Sequence, residues 1–175
     1  MSLTPGIIAS SLTGHLITNN FFLISQQTPS SATSITFSSI PNTYKSLQLR
    51  YSSTISGSAG YRINFNGDST NGHYAQHWFY SAGSSASAGS SANTYTTGTV
   101  GLGVSTYQNV GIVDIVDYAN TSKNKTLKWF AGGNNNTSGG DIELDSGLWI
   151  STSAINSLTF SGGTFTGTFS LYGVS

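Results

Sequence analysis

Cysteine is absent from this chain of 175 residues, which excludes a disulfide framework, a thiolate zinc site and a thiol nucleophile. Charge is scarce as well. Lys, Arg, Asp and Glu make up 7% of the sequence, six basic against six acidic, where an ordinary globular domain carries about 25%. That balance leaves no electrostatic footprint for nucleic acid or an anionic membrane, so neither partner is expected. Helical periodicity is missing, and no apolar run approaches the ~20 residues that span a bilayer. The opening Met-Ser-Leu-Thr-Pro-Gly-Ile-Ile lacks a positive n-region and a continuous apolar core, so synthesis in the cytoplasm without a signal peptide is expected. No Gly-x-Ser-x-Gly elbow, Walker loop or dinucleotide fingerprint occurs; Gly101 and Gly103 have neither a third glycine nor a following helix. The expectation is a protein without catalytic residues, cofactor or metal.

Ser, Thr, Asn and Gly fill the polar positions instead. Charged side chains blunt sheet edges and keep free proteins apart, so a β-rich chain of zero formal net charge tends to associate. Two readings stay open: a subunit of a larger assembly, or an extracellular-type β-domain solubilised by hydroxyls and amides.

Residues 1 to 14 carry Pro5, Gly6 and Gly14 with scattered Ile7, Ile8 and Leu12, which reads as an extended arm that needs a partner to be ordered. Residues 15 to 175 read as one domain. Short segments of period-2 alternation follow one another, separated by Gly, Pro, Asn and Ser. Tyr61, Ile63 and Phe65 against Arg62, Asn64 and Asn66 give the clearest half-buried strand. Ser81 to Ser91, almost all Ser, Ala and Gly, reads as a low-complexity loop. About ten short strands without helices predict an all-β, antiparallel β-sandwich, with the jelly roll favoured.

The chain is organised around Val110 to Phe130, an apolar strand, a polar turn and a return strand. Ile112 and Val116 fall on one face of the first arm, Val113 and Ile115 on the other, because side chains alternate along a strand. A strand with two apolar faces needs cover on both. No amphipathic helix supplies the second cover, which leaves another sheet, a loop or another subunit.

Three clusters carry residue types suited to chemistry. His73 and His77 are spaced i, i+4 but lack the third protein ligand of a zinc site. Asp141, Glu143 and Asp145 alternate around Ile142 and Leu144, so three carboxylates line one strand face. Calcium is one occupant for them, and a solvated face with lysine counter-charges is the plainer expectation. A glycosidase pair is excluded, because its carboxylates must face each other across a cleft. Tyr74, Trp78 and Tyr80 join flat apolar faces to polar handles, which suits sugar stacking and core packing alike.

Four segments carry a resemblance: Ile63 to Ser69, Val113 to Thr126, Ser146 to Thr159, and the ending Phe169-Ser-Leu-Tyr-Gly-Val-Ser. They resemble small virion structural proteins of tailed bacteriophages, of the capsid-decoration or fibre type. The resemblance implies a non-enzymatic β-sandwich located in the virion, bound to the major capsid protein or other virion proteins, and assembled as a homo-oligomer with a trimer favoured. Under a capsid-decorating (cement) role, the expected interface comprises Ile7, Ile8, Leu12, Val113 and Ile115. Under the alternative, a receptor-binding tail- or head-fibre module, Tyr74, Trp78 and Tyr80 recognise a host surface glycan.

Overall fold

The computed structural model describes residues 20–56, 60–94, 97–100, 107–134 and 140–175. The expected arm, with Ile7, Ile8 and Leu12, lies outside the described residues, as does His15. Eleven strands are described: β1 Phe21–Gln27, β2 Ser30–Phe37, β3 Ser46–Ser56, β4 Tyr61–Phe65, β5 Tyr74–Ala82, β6 Ser85–Thr94, β7 Thr97–Val100, β8 Asn109–Val116, β9 Lys125–Asn134, β10 Gly140–Trp149 and β11 Leu158–Val174. Every pairing is antiparallel. The protein is an all-β antiparallel sandwich.

β11 builds the sandwich by serving both layers. Its first residues, Leu158 to Ser161, run between β2 and β4, and its later residues, Thr164 to Val174, pair with β3. The bend falls at Gly162 and Gly163. Gly162 has φ +124, and a Cβ there would collide with the Gly60 carbonyl, so only glycine fits. The sequence reads as two strands at this point; the glycines bend one strand without ending it.

The larger layer continues from β3 through β8, β9, β10 and β5 to β6, while β4 and β7 extend the smaller one. The neighbours β3 and β8, and β5 and β10, are far apart in sequence, as Greek-key crossovers require. Between the layers lies an aromatic core. Tyr51 packs against Tyr61, Trp129, Phe160 and Phe169, with ring centroids 4.8 to 6.0 Å apart, in the offset and edge-on arrangements that ring quadrupoles favour. Leu47, Leu49, Val113, Ile115 and Leu127 extend it along the larger layer.

The Ser/Ala/Gly stretch is strand, not loop. Ser85 to Ala92 pair residue by residue with β5, so the ladder satisfies the backbone polar groups that bulky side chains are not needed to satisfy. Gly89 also leaves room for the Trp78 indole, which occupies the space a Cβ would fill.

Candidate binding surfaces

On β10 the alternation runs opposite to the sequence expectation. Glu143, Asp145, Gly147 and Trp149 are buried, and Ile142 and Leu144 are exposed. The three carboxylates therefore do not line a solvated face: Asp141 is half-buried and the other two point between the layers. Trp149 sets the phase. It is buried against Phe65 and donates from Nε1 to Asp68 Oδ2 at 2.7 Å, and with a side-chain period of two every second residue must follow it inward.

The inversion turns an apolar row outward. Ile112 on β8 stands opposite Phe130 on β9, Phe130 opposite Leu144 on β10, and Leu144 opposite Phe79 on β5. Phe79, Phe130 and Leu144 are each more than half exposed, at 55%, 58% and 55%. Val110 and Ile142 flank the row and are exposed too. A shallow groove of about 320 Å³ lies at the Ile112–Phe130 end of it, between Arg50, Val110, Ile112, Phe130 and Ile142. A contiguous apolar face of this kind marks an interaction surface. At its margin Asp114 accepts from Gln48 Nε2 at 2.7 Å, and Lys128 stands across the ladder from it.

Val113 and Ile115, expected at an interface, lie fully inside the core. Alternation sends them inward and their neighbours Ile112 and Val116 outward, so the surface of this hairpin is made by the opposite set. Reading the sequence strand by strand missed Val110, Ile112, Phe130, Ile142, Leu144 and Phe79 as one surface. The usable signal was Trp149, the one large aromatic in phase with the carboxylates.

The aromatic trio is split. Tyr74 is fully buried, its hydroxyl donating to the Asp68 carbonyl at 3.0 Å and accepting from Phe65 N at 3.0 Å; desolvation raises its pKa well above the usual phenol value. It cannot meet a sugar. Trp78 and Tyr80 are half-buried on the same inward-facing side of β5.

The histidines do not converge on a metal. His73 Nδ1 is 2.7 Å from Asp68 Oδ2, while His77 is exposed on β5. Burial alone would raise the Asp68 pKa, but the His73, Trp149 and Thr70 donors outweigh it and hold the carboxyl well below the usual range. This cluster ties the β4–β5 turn to the end of β10. Among the described residues no group of three or more His, Asp or Glu side chains is arranged to hold a metal ion.

Lys125 is a buried basic side chain. Only 1% exposed, it donates from Nζ to the carbonyls of Asn120, Lys123 and Thr152 at 2.5, 2.7 and 3.2 Å, which clamps the β8–β9 turn onto the segment after β10.

No protein-family model and no curated protein matches the chain. Among solved structures it is similar to the galectin LEC-6 of Caenorhabditis elegans, with a TM-score of 0.38 and 12% identity over 89% of this chain and 98% of that one.

Proposed function

We propose that the protein is a non-enzymatic structural subunit of a bacteriophage particle, a capsid-decorating protein that docks on coat subunits. The observation that carries this reading is the outward row Ile112–Phe130–Leu144–Phe79. A solvated β10 would turn Ile142 and Leu144 inward and its carboxylates outward, because a one-residue slip exchanges the faces. A sequence that fixes the reverse phase makes sense when the outer face is also covered. Buried apolar surface contributes about 25 cal/mol per Å², so a modest footprint repeated over a shell amounts to substantial stabilisation.

The resemblance to phage virion proteins supplies the kind of partner, and the low charge supports homo-oligomeric assembly, a trimer being favoured. The test is co-sedimentation with capsid shells stripped of this protein. Wild type should pellet with the shells, and Phe130→Asp/Leu144→Asp should stay in the supernatant; equal pelleting of both proteins would refute docking through this face.

A second reading, glycan recognition by a fibre module, rests on half-buried Trp78 and Tyr80, the Trp78 indole lying against Gly89. Saturable binding on a glycan panel, lost in Trp78→Ala, would support it. A flat panel response counts against it.

A further inference from the structure

Arg50 stands at the margin of the outer apolar row. It lies directly across the β3–β8 ladder from Ile112, half-buried on the outward side of β3, and lines the groove together with Ile112, Phe130 and Ile142. Its guanidinium carbon lies over the rings of Phe21 and Tyr172, 4.6 and 4.8 Å from their centroids, and Nε donates to Gln48 Oε1 at 2.6 Å. Two aromatic faces and a hydrogen bond hold this planar cation in one orientation. Because Nε is engaged, the two Nη groups are the fork left for an outside acceptor. Among the described residues neither has a hydrogen-bond partner.

A guanidinium fixed beside apolar side chains is suited to a carboxylate. None of this chain's six Asp and Glu is placed to provide one. Asp68 serves His73 and Trp149, Asp117 pairs with Lys123, and Asp141, Glu143 and Asp145 belong to the inward set of β10. Asp114 is on the outer face, but it is joined to Arg50 through Gln48, whose Nε2 donates to its Oδ1 at 2.7 Å. Among the described residues Arg50 forms no ion pair.

We propose that Arg50 is the specificity-determining residue of the docking face, and that its occupant is an extended protein segment carrying one Asp or Glu beside apolar side chains. This rests on the docking reading given above. The partner's carboxylate takes the Nη fork, and its apolar side chains lie on Ile112, Phe130 and Leu144. Those residues follow Arg50 one ladder step at a time. With strands ~4.8 Å apart, Leu144 lies about 14 Å from Arg50, the reach of about five extended residues. One cation on an otherwise apolar groove matches one carboxylate on an apolar segment. A nucleic acid would need several cations in line, and the groove's other walls are Val110, Ile112, Phe130 and Ile142.

The probe is the stripped capsid shell, emptied of nucleic acid, titrated in the co-sedimentation assay. Arg50→Gln should bind roughly 10- to 100-fold more weakly than wild type, the loss expected for hydrogen bonds to a charged group. Arg50→Lys, which keeps the charge without the fork, should fall between, and circular dichroism should show both variants folded as wild type. Amidating the shell carboxylates with carbodiimide and glycinamide should lower wild-type binding to the level of Arg50→Gln and leave Arg50→Gln unchanged, because the two changes remove the same contact. Arg50→Gln binding as tightly as wild type, while Phe130→Asp/Leu144→Asp stays in the supernatant, overturns the carboxylate anchor and leaves docking standing. Amidation that leaves wild type unaffected, or weakens both proteins equally, overturns it too. Wild type that does not pellet removes both readings.

Discussion

Phe130 and Leu144 face each other across β9 and β10, each more than half exposed, while Trp129 and Asp145, the adjacent pair on the same two strands, are buried. Each strand thus places an aliphatic or aromatic side chain where soluble sheets place a polar one. Along this row the outer face of the layer is apolar.

If that face is a contact surface, replacing it should leave the fold alone. Phe130→Asp/Leu144→Asp introduces two charges at exposed positions, where substitutions usually change stability by within ~0.5 kcal/mol. Chemical denaturation should show an unchanged midpoint. Sedimentation velocity should show the double variant in the same oligomeric state as wild type, since the face is assigned to coat subunits.

Stability should depend on pH through two groups that pull in opposite directions. Burial, then the charge of neighbouring Glu143, push Asp145 up to about 8, so its contribution is full below about pH 4, the unfolded value, and is lost as pH rises through 8. Asp68 is held low, so its contribution is present above about pH 4 and lost as pH falls through its folded value. Tyr51 and half-buried Asp141, the other titratable groups near Asp145, are shifted upward as well. Tm should peak near pH 4 and decline toward pH 8. Asp145→Asn should flatten the decline, and Asp68→Asn should lower Tm on the neutral side.

Lys125→Met should be among the costliest single changes. It keeps the aliphatic stem but leaves the carbonyls of Asn120, Lys123 and Thr152 without their shared donor, and losing hydrogen bonds to a buried charge costs about 3 kcal/mol. Urea denaturation measures it, with Lys123→Met, an exposed neighbour, expected within ~0.5 kcal/mol of wild type.

Gly111→Ala should destabilise through sterics alone. A Cβ at Gly111 would run into the ring and hydroxyl of Tyr51, which is hemmed in by Tyr61, Phe160 and Phe169. Overpacking of this kind costs about 1–3 kcal/mol. Gly83→Ala, where a Cβ meets nothing within 4 Å but φ is +58, separates backbone strain from crowding.

The strand bounded by Tyr61 and Phe65 was legible to the residue, because its alternation and flanking turn signals agree. The phase of β10 was not. Ile142 and Leu144 between three carboxylates read equally well with either face inward, and the choice is made at its far end, where Trp149 enters the core. The strand at Ser85 to Thr94 was hidden for a different reason: its residues carry little propensity, and its existence depends on the ladder β5 offers. Val113 and Ile115 were recognised as apolar but assigned to the wrong side, since a hairpin with two apolar faces does not itself say which one the smaller sheet covers. The split of Tyr74 from Trp78 and Tyr80 likewise follows from tertiary placement, Tyr74 being locked by Phe65 and Asp68.

Cryo-electron microscopy of intact particles carrying this protein tests the central claim most directly. The account predicts density on the shell, with the face of Ile112, Phe130, Leu144 and Phe79 turned toward coat subunits. Density on a tail or fibre, or on the shell with that face open to solvent, would contradict it.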